Sequence, residues 1–189
     1  MITESEAGPR ERLLEAAATL SYAVGVNVGV EALCRAAGVS KRAMYQLFEG
    51  KDELIAARLE WRAVTSQGGL PSRDGDAASA RERILRVFDE MAARSSSAGF
   101  WGCPYLAVQV ELKDPEHPAS RVARTVKQGL TDFFRAEAVR GHACNPGLLA
   151  RQLTLLYDGA SARAGIKADD LSNLITPTVV TLLNAAGLE

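Results

Sequence analysis

Apolar residues in this chain recur at steps of three and four almost from end to end, and nowhere do they alternate for the length of a strand. That spacing matches the helical turn and not the two-residue repeat of a sheet, so the predicted fold class is all-α. Glycine, proline and serine divide the pattern into about nine helices. Leu13, Leu14, Ala17, Leu20 and Val24 form a first stripe, with Pro9 near its start and Gly25 at its end. A short helix is predicted from Val30 to Ala37, stopped by Gly38. Ser40 then caps another, from Lys41 to about Phe48. Asp52 and Glu53 open a longer helix carrying Leu54, Ile55, Leu59 and Trp61. Gln67 to Ser79 reads as a loop. Further helices are predicted near Ala80–Arg94, Pro104–Leu112, Pro118–Arg140, Pro146–Ile166 and Asp169–Ala186, with Pro177 kinking or breaking the last.

Composition narrows the function classes. At 189 residues and 47% hydrophobic, the chain can bury a core without disulfide staples. Its 22 basic and 23 acidic residues leave a net charge of −1, which excludes nucleic-acid binding by bulk positive charge. No apolar run is long enough to span a membrane, and the polar, acidic start has no secretion-signal order; a cytoplasmic protein is expected. Three cysteines (Cys34, Cys103, Cys144) without a C-x-x-C, and two histidines (His117, His142), argue against a disulfide framework or a metal site. No cofactor is expected. No nucleophile elbow, phosphate loop or Ser/His/Asp set is visible, so the chain is not expected to be an enzyme.

The informative stretch runs from Glu31 to Leu54. Two short helices joined by a tight turn containing glycine form the helix-turn-helix plan. Leu33, Ala36 and Ala37 give the first helix a face of small and apolar residues, Gly38 permits a positive φ, and Val39 is an apolar plug. On the second helix, Ala43, Met44, Leu47 and Phe48 are predicted to pack inward. Lys41, Arg42, Tyr45 and Gln46 fall on the other side. Lys and Arg can pair with phosphate or guanine edges, Gln with adenine, and a Tyr hydroxyl with phosphate. Lys51, opening the next helix, adds a basic point where helix N–H groups also favour phosphate. Between Arg35 and Lys51 there are four basic residues against one acid, although residues 1–60 together carry seven basic and nine acidic. A Lys-Arg pair on a short helix is ordinarily only a solvated face. Here the joint spacing argues for DNA.

These residues resemble the TetR/AcrR family of transcriptional regulators. The likeness rests on Arg12, Leu13, Leu14, Ala17, Leu20 and Gly25, on Leu33 and Ala37 to Ser40, and on Tyr45, Phe48, Lys51 and Leu54. It covers about residues 10–60. Where the family often places a threonine that caps the second helix and touches a phosphate, this sequence has Val28 and Gly29. The resemblance implies a three-helix DNA-binding head, residues 1–50, fused to a ligand-binding and dimerisation domain, residues 51–189. It implies a repressor that binds a pseudo-palindromic operator as a homodimer and is released by a small-molecule effector. By position, Lys41, Arg42 and Gln46 become base readers, and Ser40, Tyr45 and Lys51 phosphate contacts.

Bulky residues of the larger region are candidates for an apolar effector pocket: Trp61, Phe88, Met91, Phe100, Trp101, Tyr105 and Tyr157. Plain core packing is the competing reading. Two stripes, Leu149, Leu153, Leu156 and Ala160, and Leu171, Leu174, Ile175, Val179 and Leu182, are expected to close a four-helix bundle across a two-fold axis. The alternative is that both stripes pack within one chain. A helical protein-interaction module without DNA binding is the rival function.

Overall fold

The computed structural model describes residues 7–64, 78–168, 170–171 and 173–188. Among them every regular element is a helix: α1 Pro9–Val24, α2 Val30–Ala37, α3 Lys41–Leu47, α4 Lys51–Val64, α5 Ala80–Ser95, α6 Pro104–Leu112, α7 Pro118–Arg140, α8 Pro146–Gly165 and α9 Ile175–Ala185. Most of the predicted loop from Gln67, and Asp169 at the predicted start of the last helix, lie outside the described residues.

The described residues divide into two compact units. One lies within Met1–Gly68 and Ala107–Arg124, the other within Gly69–Leu106 and Thr125–Glu189, so α6 and α7 each lend residues to both.

In the first unit α1 packs on α2, α3 and α4. Leu13, Leu14, Ala17, Leu33, Ala37, Met44, Phe48, Leu54, Ile55 and Leu59 are buried together, each large side chain worth about 1.5–3 kcal/mol of apolar transfer. Val24 is a correction to the predicted stripe: it closes α1 with its side chain 68% exposed, and the chain turns back into the core only at Val26 and Val28. A distant segment completes the unit. Glu111 Oε1, at the end of α6, accepts from the Val26 amide at 2.9 Å and from Asn27 Nδ2 at 3.4 Å. Gly25 has a φ of 93°, which favours glycine, and a Cβ there would stand 2.5 Å from that carboxylate and push the Glu111 side chain aside. His117 caps α7, its Nδ1 accepting from the Ala119 amide at 3.1 Å, while its Nε2 lies 3.4 Å from Asp52 Oδ1.

In the second unit α5, α8 and α9 pack around Ile84, Phe88, Met91, Leu149, Leu153, Ile175, Val179 and Leu183. Phe133 and Phe134 of α7 enter the same core, with Phe134 stacked on Phe88 at 5.6 Å. Arg83 Nε donates to Glu137 Oε1 at 2.9 Å, and both side chains are almost wholly buried.

Two predictions about the last helices change here. Leu149, Leu153, Ala160, Leu171, Ile175 and Val179 lie in this chain's own core, so they do not form an exposed bundle face. An amphipathic stripe buries against the nearest apolar surface, and here that surface is intramolecular. Leu156 and Leu182 are partly buried, and the large apolar side chains left in solvent along and at the ends of these helices are Leu148, Leu155, Ile166 and Leu174. Pro177, for its part, does not cut α9. The helix starts at Ile175, which puts Pro177 in the first turn, where its missing N–H removes no intrahelical bond.

Candidate nucleic-acid interface

The chain reverses between α2 and α3 in three residues. Gly38 takes the left-handed conformation (φ 61°, ψ 36°), and the amides of Gly38 and Val39 donate back to Arg35 O at 3.2 Å and Cys34 O at 3.0 Å. These bonds satisfy the last carbonyls of α2 in the manner of a glycine C-cap. Ser40 is extended (φ −70°, ψ 152°), and its Oγ accepts from the Ala43 amide at 3.1 Å, capping α3. Arg12 of α1 pins the turn from behind, donating from Nε to Ala37 O at 3.1 Å.

α3 is anchored by Met44, which is 1% exposed, and by Phe48 just past its end. Leu47, predicted to pack inward with them, is 39% exposed. The reason lies in the helix end: Phe48 has extended dihedrals (φ −141°, ψ 140°), so its ring turns into the core by leaving the helical path. Leu47 is thereby left at the rim. Arg10 covers the buried ring, its guanidinium carbon 5.5 Å from the Phe48 centroid.

Lys41, Arg42, Tyr45 and Gln46 are all exposed, Tyr45 to 55%. Neither Arg42 nor Gln46 has a side-chain ion pair or hydrogen bond among the described residues. Lys51 is half-buried, and its Nζ donates to Val26 O at 3.1 Å. An ammonium has three donors, so two remain. Gly29 stands at the N-cap of α2 and offers no side-chain acceptor.

One residue of this surface was not singled out from the sequence. Glu31, in the first turn of α2, reaches Lys41 Nζ at 2.5 Å. The Lys41 hydrogen bond and charge hold the Glu31 carboxyl below its ordinary value of 4.5, and Glu31 in turn raises the Lys41 ammonium above 10.5. Ten positions separate the two, and only the crossing of α2 and α3 brings them together, so single-helix periodicity carries no signal of the pair.

The effector-pocket candidates scatter. Phe88, Met91 and Tyr105 are buried, Phe100 and Tyr157 partly so, and Trp101 is 54% exposed with Lys167 Nζ 5.9 Å from its ring. Trp61 belongs to the first unit and the others to the second. Two of them meet: Phe88 and Tyr157 pack edge to face at 6.0 Å. Arg94 Nη2 donates to the Tyr157 hydroxyl at 3.4 Å, and Lys127 lies 5.1 Å above the same ring while paired with Asp158. Among the described residues no cluster of His, Cys, Asp and Glu is placed to hold a metal ion. No described helix is long and apolar enough to cross a membrane.

A capped recognition helix on a buried keel, preceded by a glycine turn and a second short helix, defines a helix-turn-helix DNA-binding protein. Residues 13–57 match the family model of bacterial regulatory proteins of the tetR family. A TetR transcriptional regulator structure from Streptomyces avermitilis is 60% identical, with a TM-score of 0.91 over 97% of this chain and 100% of that one. A TetR-family transcriptional regulator from Streptomyces coelicolor is 27% identical, with a TM-score of 0.82 over 94% and 95%. The reduced form of NemR from E. coli, 22% identical with a TM-score of 0.77 over 93% and 95%, shares the fold. No protein of curated function matches the chain. The chain belongs to the TetR family of transcriptional regulators.

Proposed function

We propose that this regulator is a repressor that binds a pseudo-palindromic operator as a homodimer in the cytoplasm and leaves it when a small, largely apolar effector binds the region after residue 50. Lys41, Arg42 and Gln46 read base edges; Ser40, Tyr45 and Lys51 hold phosphates. The observation that carries the reading is the exposed polar face of α3, backed by fully buried Met44. Arg42 and Gln46 carry the donor patterns that pair with guanine and adenine in the major groove. Exposed Leu148 and Leu155 of α8 supply apolar surface for a second copy. Buried Phe88 beside Tyr157 supplies an aromatic wall for the effector.

The test is selection of duplexes from a random pool by the purified full chain, followed by fluorescence anisotropy on the selected site. A two-fold-related consensus is expected. Arg42→Ala is expected to weaken the selected site by about 1–3 kcal/mol and to relax discrimination at one position per half-site. A pool that yields no consensus, or an Arg42→Ala variant that binds as well as the parent, would refute the assignment.

A further inference from the structure

Glu31 stands on the exposed edge of α2 with its carboxylate on Lys41 Nζ, and both side chains are solvated, at 72% and 53% exposure. We propose that Glu31 is a specificity-determining residue: it neutralises Lys41 so that the α3 face gains little sequence-independent affinity for DNA. This rests on the reading that α3 faces the duplex.

Affinity for phosphate grows with the number of phosphates neutralised, because each releases condensed counterions. A lysine already paired with a carboxylate adds no net charge, so it releases none. A phosphate approaching Lys41 must also displace, and come close to, the Glu31 anion. The ammonium keeps two N–H donors while it holds Glu31, and those can still reach a base acceptor. Arg35, one turn further along α2, pulls on the same carboxylate as a weaker second cation. Of the exposed cations on this face, Arg42 has no such counter-charge among the described residues. The pairing therefore moves the head's positive charge toward Arg42 and leaves Lys41 to contribute by hydrogen bonding. The consequence is a lower background on random DNA, and a larger share of the affinity carried by base contacts.

The experiment measures binding of the full chain to a 30-base-pair duplex of random sequence across a salt series, for the parent, Glu31→Gln, Lys41→Met and the double variant. Glu31→Gln is expected to bind the random duplex roughly fivefold more tightly near 0.15 M salt and to steepen the dependence of log K on log salt by about 0.9. In the Lys41→Met background the same change is expected to gain less than about twofold, since no ammonium is left to release. A purely structural link between α2 and α3 would shift melting temperature and leave the salt slope alone. Equal gains in both backgrounds, or no change in slope, overturn the role of Glu31. A parent protein that ignores the duplex even at low salt overturns the DNA-facing reading itself, and this inference with it.

Discussion

Replacing Glu137 by leucine removes a carboxylate partner of a buried cation and leaves nearly the same volume. Arg83 and Glu137 side chains are only 4% and 7% exposed, and the Nε–Oε1 distance is 2.9 Å. Removing the carboxylate of such a pair leaves the buried guanidinium without its counter-charge, which destabilises by about 3–5 kcal/mol. Two features place the expected loss in the lower part of that range. The Arg83 guanidinium carbon also lies 5.7 Å from the Phe133 ring centroid, an attraction that survives the substitution. Arg140, the other partner of Glu137 at 2.7 Å, is 46% exposed and returns to water with little loss. At about 2–4 °C per kcal/mol for a chain of this size, a loss of about 3–4 kcal/mol should lower the melting temperature by roughly 6–16 °C. Circular dichroism melts and urea titrations measure it. The double variant Arg83→Met, Glu137→Leu should recover most of the loss, because an apolar pair of similar volume has no charge to desolvate. A loss below about 1 kcal/mol, or a double variant no more stable than the single, would refute the claim that the pair is held by desolvated charge.

Two further outcomes follow from the head. Met44→Ala should destabilise by about 2–5 kcal/mol, whereas Leu47→Ser, at a rim site 39% exposed, should cost less than about 2 kcal/mol, as read by urea denaturation. Because the Glu31 carboxyl is held down by Lys41, its share of stability is present above pH 4.5 and is lost only as pH falls through the lowered value. An NMR titration should place the Glu31 midpoint below 4.5, and Lys41→Met should move it back up.

The head was legible in the sequence because its determinants are local. Gly38, Ser40 and the spacing of Met44 and Phe48 each act within a few residues, and their geometry follows from backbone sterics and capping. Leu47 was misplaced because the helical period was extended one residue past where α3 stops. Trp101 and the α8 and α9 stripes show a different limit. Periodicity states that a face is apolar and not what covers it, so Leu149 and Val179 read equally well as subunit contacts and as this chain's own interior. Glu31 with Lys41, and Glu111 with Val26, are tertiary contacts set by how helices cross, and no spacing rule reaches them.

The hydrogen bonds from Val26 and Asn27 to Glu111 span more than eighty positions of chain. A protein engineer who wishes to graft this reader onto another sensor therefore cannot cut once after the fourth helix. The transplant has to carry a second strip, residues 107–124, or the recipient must offer its own acid at the matching place. Chimeras with a single crossover should lose the brace beneath the first bend and bind DNA poorly even with every exposed α3 side chain intact.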